Sequence, residues 1–189
     1  LDRLRRDLAD PEAPDSLRDA DHLFEAALHL GRLNVEVAAT HRPALGADGA
    51  STFILGGQIG DEAPQIYLVY PEGNYIRASD DRPFLQIGES KYGKFMLELA
   101  VTANADLTTA TKIALGSMMS TAKANLSVGP PYDIAVYRND SLEVEETRIP
   151  SDSPVLERLR DLWERHLLAA IEELPDFSAE EMVAPGAWD

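Results

Sequence analysis

The protein has 189 residues, 44% of them hydrophobic and 26% charged, and its formal net charge is −16. This composition is typical of a globular chain with a core of ordinary size, and the negative charge repels nucleic-acid phosphates and anionic lipid. We therefore expect neither nucleic acid nor a membrane among its partners. The chain has no cysteine, which excludes disulfides and thiolate chemistry, and we expect a cytoplasmic protein.

The chain opens inside an amphipathic helix. Leu1, Leu4 and Leu8 recur at helical spacing, but no capping residue precedes them. Because the sequence also lacks an initiating methionine, we expect further residues to precede it in the complete protein. Pro11 and Pro14 end this first helix.

A second, longer helix follows. Asp15 or Ser16 can cap it, and its apolar positions continue as far as Val37. Residues 42–50 then predict a loop, because proline and glycine interrupt the helical pattern.

Four extended segments come next and predict an antiparallel meander, since tight turns separate them. The turn at Pro71–Asn74 makes a hairpin of the second and third segments. The second segment is apolar on both faces, which indicates that both faces are covered. The segments are Thr52–Ile59, Gln65–Tyr70, Tyr75–Ala78 and Pro83–Gly88.

Two helices, two strands and a final helix complete the order. Ser90 can cap the first of these helices, and Asp106 or Thr108 the second. The predicted helices are Ser90–Thr102, Asp106–Ala124 and Ser153–Leu174, and the predicted strands are Asp133–Tyr137 and Leu142–Ile149.

This order of elements predicts an α+β fold, because the helices segregate from the antiparallel strands. The strands look covered on both faces, so the expected architecture is a four-layer αββα sandwich with two sheets inside and helices outside. We expect a single domain over residues 1–175 and a tail over residues 176–189.

Two serine motifs resemble hydrolase signatures. Ser90 lies between Gly88 and Gly93, but a nucleophile elbow needs its second glycine one residue earlier. Ser120 and Lys123 form a Ser-x-x-Lys pattern, although Ser120 lies late in its helix rather than at its start. Helix capping and an ordinary helix surface are the simpler interpretations, so neither motif alone predicts a reaction.

No metal or cofactor is expected. The glycines around Gly57 are not followed by a helix, which argues against a dinucleotide fingerprint. The histidines lack the spacing of a metal site, and solvated or hydrogen-bonded histidines are the simpler interpretation. They are His22, His29, His41 and His166.

Longer sequence segments say more about the protein's family than these short motifs do. The segments YPEGN, QIGESKYGK and NLSVGPPYDIAVY follow one another in the order and spacing of a proteasome β-type subunit. Over residues 1–175 the chain resembles the bacterial Anbu (ancestral β-subunit) group of that family. The resemblance implies the N-terminal nucleophile hydrolase fold, with its N-terminal strands missing from this chain, and assembly into a homo-oligomeric ring or spiral.

The family also implies a chemistry. The first residue of the mature chain, a threonine, attacks a peptide carbonyl, and its own α-amino group is the base. The resemblance therefore implies a threonine hydrolase of peptide or amide bonds, with the threonine, an aspartate and a lysine upstream of Leu1. This chain itself then has no nucleophile. The alternative is a catalytically silent structural or binding subunit.

The resemblance places three residues of one loop near the active site. Gly88, Glu89 and Ser90 fall where the family has a Gly-Ser-Gly loop. Glu89 occupies the serine position of that loop, which departs from the family pattern. Support of the turn is the alternative role for all three.

A second loop is placed near the same site. Asn125, Ser127 and Gly129 fall near a family loop that carries an aspartate, a serine and a glycine. Asn125 can hydrogen-bond in the aspartate position but adds no charge. Support of the loop is the alternative role for all three, and Asn125 and Gly129 also suit a helix stop. Gln58 resembles the residue that reaches into the substrate pocket of a neighbouring subunit.

Overall fold

Antiparallel strand pairs and amphipathic helices build the structure, a computed structural model that describes residues 2–45 and 51–176. The chain divides into two compact units, Leu1–Ile149 and Pro150–Asp189. The α-helices are α1 (Asp2–Ala9), α2 (Leu23–Leu45), α3 (Lys94–Ala100), α4 (Leu107–Ala124) and α5 (Pro154–Glu172). The strands are β1 (Phe53–Gly57), β2 (Gln65–Val69), β3 (Tyr75–Arg77), β4 (Tyr132–Tyr137) and β5 (Val144–Ile149).

The predicted second helix is divided in the structure. Ser16 does cap a helix, but it is a three-residue 3₁₀ helix, Leu17–Asp19, closed by a capping box between Ser16 and Asp19. The chain then restarts as α2, because the Glu25 carboxylate accepts hydrogen bonds from the backbone N–H groups of Asp21 and His22 at 2.8 and 3.0 Å. One long helix from Ser16 is therefore wrong.

The end of α2 also differs from the sequence prediction. The helix continues to Leu45, so residues 42–45 are helical rather than part of a loop. Pro43 lies two residues before the end of the helix, where its missing N–H interrupts only the last turn. The rest of the predicted loop, residues 46–50, and nearly all of the predicted tail lie outside the described residues.

The first three strands form an antiparallel sheet in the order β1-β2-β3. Phe53 pairs with Val69, and Val69 pairs in turn with Tyr75. Helix α2 packs on this sheet and buries Ala27 and Val69 completely, which places the main core between the helix and β2. The buried cluster comprises Leu23, Ala26, Ala27, Leu30, Tyr67 and Val69.

The hairpin turn between β2 and β3 rests on α2. A Cβ atom added at Gly31 would lie 2.1 Å from the carbonyl oxygen of Gly73, so only a glycine allows this approach. Gly73 itself has a φ of +89°, which the turn requires. Asn34, also on α2, donates from Nδ2 to the carbonyls of Ser51 and Tyr70 at 2.7 and 3.4 Å.

The predicted fourth strand, Pro83–Gly88, is wrong. Within the described residues, the β pairing closest to it is an isolated bridge between Ser79 and Arg82. A strand needs a partner for its backbone groups, and Pro83 has no N–H to donate. The segment is therefore irregular, and it leads directly to the loop before α3.

Helices α3 and α4 pack against each other through small residues. Gly93, not Ser90, is the N-cap of α3, and it forms no side-chain capping bond. The hydroxyl of Ser117 on α4 donates to the Gly93 carbonyl at 2.9 Å. A Cβ atom at Gly93 would lie 2.4 Å from that hydroxyl, so a glycine is needed where the two helices meet.

Asp106 caps α4, as the sequence predicts. Its carboxylate accepts from the backbone N–H of Thr109 at 2.8 Å and from the Thr109 hydroxyl at 3.0 Å. These hydrogen bonds to the charged form hold the pKa of Asp106 below its ordinary value.

Strands β4 and β5 form a separate two-stranded antiparallel sheet, in which Tyr132 pairs with Ile149 and Tyr137 with Val144. In the second unit, α5 begins after Ser153 with Pro154 in its first turn. No helix within the described ranges is both long and apolar enough to cross a membrane. The α+β class is thus confirmed, whereas the four-layer order and the single domain over residues 1–175 stay predictions.

Candidate functional site

The two loops singled out by the sequence lie against each other. One loop precedes α3 and contains Glu89, and the other follows α4 and contains Asn125. The Nδ2 atom of Asn125 donates to Oε2 of Glu89 at 3.0 Å, and the contact is partly buried. Two segments that are 36 residues apart in the chain are therefore joined by a charge-assisted hydrogen bond.

Local hydrogen bonds shape the loop before α3. The other carboxylate oxygen of Glu89, Oε1, accepts from the backbone N–H of Lys91 at 2.8 Å. Gln86 donates from Nε2 to the Glu89 carbonyl at 3.3 Å, and its Oε1 atom is buried with no hydrogen-bond partner in the described part of the chain. Gly88 has a φ of +80°, a conformation that favours glycine at the bend.

The loop after α4 is organised by Asn125, the C-cap of that helix. Its Oδ1 atom accepts from the backbone N–H of Ser127 at 2.9 Å, and its carbonyl accepts from the N–H of Val128 at 3.1 Å. The prediction that Asn125 stops the helix is confirmed. The same side chain also faces Glu89, so one asparagine serves both as helix stop and as contact between the loops.

The remaining residues of this group belong to the same two loops. Ser90 follows Glu89 directly in the chain, and its backbone carbonyl accepts from the N–H of Lys94 at 3.3 Å. Ser127 is tied to Asn125 through its backbone N–H. Gly129 lines an apolar groove between α4 and β4. The structure thus brings Glu89 and Asn125 together, while their active-site role stays a prediction.

Gln58 lies in a different place. It follows β1, and its Oε1 atom accepts from the Tyr137 hydroxyl at 2.8 Å and from the backbone N–H of Asp140 at 2.9 Å. Its Nε2 atom donates to Oδ1 of Asp140 at 2.7 Å. Within this chain Gln58 therefore joins the first sheet to the turn between β4 and β5, and its predicted reach into a neighbouring subunit stays a prediction.

An apolar groove separates α4 from β4, and sequence reasoning did not identify it. Its volume is ≈ 660 Å³, and its lining is mainly aliphatic. Leu107, Ala114 and Met118 contribute from the helix, and Ile134 and Val136 from the strand. The spacing of small residues on α4 predicted a packed helix face. No feature of the sequence predicted that β4 would lie apart from this face.

A second cavity, of ≈ 500 Å³, lies between the two sheets. Ile54 and Ile66 line it from β1 and β2, and Ala135 and Val144 line it from β4 and β5. Ile54 and Val144 are more than two-fifths exposed. The β4–β5 sheet is therefore bordered by open apolar space toward both α4 and the first sheet.

The histidines do not form a common site in the described part of the chain. The Nδ1 atom of His22 shares a hydrogen bond with Oε1 of Glu62 at 2.6 Å, and this bond holds the pKa of His22 above its ordinary value. His29 is buried on α2, with Nδ1 3.6 Å from Oδ1 of Asp15. Over residues 2–45 and 51–176, no cluster of three or more His, Asp or Glu side chains could hold a metal ion.

The Ser-x-x-Lys pattern lies where the sequence indicated, in the last turns of α4. Ser120 is half-buried and Lys123 is exposed, and the helix begins more than three turns earlier, at Leu107. Since the serine does not open its helix, the position lacks the geometry of the serine hydrolases that use this pattern.

Comparisons with known proteins identify the family. No family model matches the chain, and no curated protein matches it closely. Among solved structures, Anbu (ancestral beta-subunit) from Yersinia bercovieri superposes with a TM-score of 0.87 and 37% sequence identity, over 94% of this chain and 75% of that one. This chain belongs to the Anbu family.

Other Anbu structures agree with this assignment. The helical assembly of the Anbu complex from Pseudomonas aeruginosa matches with a TM-score of 0.87 and 36% identity, over 95% of this chain and 75% of that chain. Anbu from Hyphomicrobium sp. strain MC1 matches with a TM-score of 0.84 and 35% identity, over 94% and 75%. The predicted resemblance to the Anbu group is therefore confirmed, and the chain corresponds to a proteasome-like subunit.

Proposed function

We propose that the complete subunit is a proteasome-type threonine hydrolase that cleaves peptide or amide bonds. The observation that carries the proposal is the match to Anbu at 37% identity over 94% of this chain. Fold alone does not determine activity, so the proposal draws on sequence identity as well as on the superposition.

In the proposed mechanism the nucleophile is a threonine at the mature N-terminus, in residues that precede Leu1. Its α-amino group removes the hydroxyl proton as the oxygen attacks the carbonyl carbon. An aspartate and a lysine in the same upstream residues adjust the reactivity of the threonine. The strands that carry them complete the four-layer αββα sandwich. The contribution of the present residues is positional: the loops around Gly88–Ser90 and Asn125–Gly129 flank the cleft.

We extend the proposal to assembly. The Pseudomonas aeruginosa relative is described as a helical assembly, and we propose that this subunit also associates with its own copies, as a ring or a spiral. We further propose that it does so in the cytoplasm, binding neither nucleic acid nor membrane, as its net charge of −16 suggests. For Gln58 to reach a neighbouring pocket, its side chain would exchange the contact with Asp140 for one across the interface.

A catalytically silent structural or binding subunit is the alternative. The test uses the product of the full-length gene. Its N-terminal sequence and intact mass are determined, and hydrolysis of peptide amides is measured before and after Thr→Ala substitution of the N-terminal threonine. Ser120→Ala is the control.

The proposal predicts a mature N-terminal threonine and a loss of hydrolysis in the Thr→Ala variant, with activity kept in Ser120→Ala. A mature chain without an N-terminal threonine, or one whose hydrolysis survives Thr→Ala, would overturn it in favour of the silent subunit. Loss of activity in Ser120→Ala alone would point instead to the serine and lysine on α4.

A further inference from the structure

The contact between Glu89 and Asn125 has only one arrangement that satisfies its neighbours. The backbone N–H of Lys91 occupies Oε1 of Glu89, and the backbone N–H of Ser127 occupies Oδ1 of Asn125. The remaining atom of Glu89 is the carboxylate oxygen Oε2, which can only accept a hydrogen bond. The remaining group of Asn125 is its amide NH₂, which can only donate. These two atoms face each other at 3.0 Å.

We propose that Glu89 and Asn125 are a positioning pair that fixes the loop before α3 against the loop after α4 at the active site of the complete subunit. The location of this pair at the active site rests on the proposed function. The pairing itself rests on the hydrogen bonds that Glu89 and Asn125 form with each other and with the backbone of their own loops. Each residue is tied to its own loop through a backbone N–H. A change in either side chain therefore alters the spacing of the loops.

The chemistry of the pair predicts how single substitutions fail. In Glu89→Gln the new NH₂ group faces the NH₂ group of Asn125, unless one amide turns and leaves a backbone N–H without its acceptor. In Asn125→Asp two carboxylates face each other at the same short distance, and their repulsion separates the loops. Each variant thus removes the contact by a different route.

The double variant with both substitutions restores every hydrogen bond. The glutamine oxygen accepts from the Lys91 N–H, the aspartate accepts from the Ser127 N–H, and the glutamine NH₂ donates to the aspartate. One negative charge is kept, but it now lies on the other loop. If the pair acts through hydrogen bonding, this exchange restores its function. If catalysis needs the carboxylate at Glu89 itself, the exchange does not restore activity.

The test measures thermal unfolding, kcat and KM of the full-length gene product for wild type, Glu89→Gln, Asn125→Asp and the double variant, with a peptide amide as substrate. We expect each single variant to lose about 2–4 °C in Tm. We also expect kcat to fall roughly 10- to 100-fold in each, because small displacements of positioned groups slow catalysis. The double variant should regain most of both losses.

Matched controls are available beside the two loops. Glu98→Gln makes the same change on α3, in an exposed ion pair with Arg82 and Lys94. Asn104→Asp makes the same change in the exposed segment between α3 and α4. Both controls should leave Tm and kcat near the wild-type values.

Three outcomes would overturn the proposal: single variants indistinguishable from the controls, losses in Tm that simply add in the double variant, or a double variant that regains Tm but not kcat. If wild type hydrolyses nothing while the Tm values show the coupling and its rescue, the pairing stands and the proposed function fails. If the Tm losses add in an enzyme that is active, the pairing fails and the proposed function stands.

Discussion

The region around α2 and the first sheet differs sharply from the region around α4 and β4–β5. In the first region Ala27 and Val69 are completely buried, and a turn touches the helix backbone at Gly31. In the second, an apolar groove of ≈ 660 Å³ separates α4 from β4. The region around α2 and the first sheet therefore has a buried core, while the region around α4 and β4 has an apolar face that is open.

This difference teaches where the candidate site lies and what keeps it in place. The loop of Asn125 follows α4, the helix that lines the groove, and the loop of Glu89 precedes α3, which packs on α4. The hydrogen bond between these two side chains joins the two loops beside the open region. Functional loops commonly occupy the less stable parts of a structure that a packed scaffold supports.

The largest effect is expected for Gly31→Val in the packed region. The new Cβ atom would lie 2.1 Å from the Gly73 carbonyl oxygen, and neither backbone segment can move aside easily. We expect a loss of about 3 kcal/mol in the free energy of unfolding, measured by urea denaturation. Gly129→Ala, where no atom lies within 4 Å of the added Cβ, should change stability by under about 0.5 kcal/mol. Equal effects at both glycines would remove the contrast between the regions.

The same substitution in both regions sharpens the comparison further. Val69→Ala removes methyl groups from a completely buried side chain, and we expect a loss of about 2–3 kcal/mol. Val136→Ala, on a half-buried residue that lines the groove, should lose less than about 1 kcal/mol. Chemical denaturation of the two variants provides the measurement, and similar losses would mean that the β4 face is as well covered as the core.

A third prediction concerns the link between the two regions. Gln58→Glu places a carboxylate against Oδ1 of Asp140, where the amide now donates at 2.7 Å. We expect a loss of about 1 kcal/mol, because the contact is partly exposed. Adding Asp140→Asn should restore the bond, and asparagine tolerates the positive φ of 62° at that position. The idea fails if the second substitution adds to the loss in thermal unfolding instead of reversing it.

The smallest effect is expected at the edge of the packed region, where His22 meets Glu62. The hydrogen bond to Glu62 raises the pKa of His22 above 6.5 in the folded protein, so folding binds the proton more tightly. The resulting stability is fully present below pH 6.5 and is lost as the pH rises through the raised pKa. The Tm difference between wild type and His22→Gln should therefore be larger at about pH 6 than at about pH 9. A difference independent of pH would show that His22 acts through its packing on Phe24 alone.

The sequence predicts well the helices and strands that have strong periodicity and clear caps. Asp106 caps α4 as expected, and the hairpin at Pro71–Asn74 forms. The strand prediction for Pro83–Gly88 fails because strand-forming residues do not reveal whether a partner strand is in reach. The break between Ser16 and α2 depends on the Glu25 side chain, whose capping role the apolar pattern does not show.

The candidate site is predictable only through the family resemblance. Sequence segments shared with the family identify the two loops. Nothing in the composition of the loops indicates that Glu89 forms a hydrogen bond with Asn125. Such a contact depends on how α3 packs on α4, which brings Gly93 against Ser117. The groove beside β4 escapes prediction for the same reason, because it is a property of the separation between elements and not of any one segment.

The central claim is tested most directly by treating the full-length gene product with an electrophilic peptide analogue and mapping the adduct by mass spectrometry. We expect one adduct per subunit on an N-terminal threonine upstream of Leu1, and none in the Thr→Ala variant. An adduct on a residue of the present chain, such as Ser120, or no adduct at all on a correctly assembled protein, would contradict it.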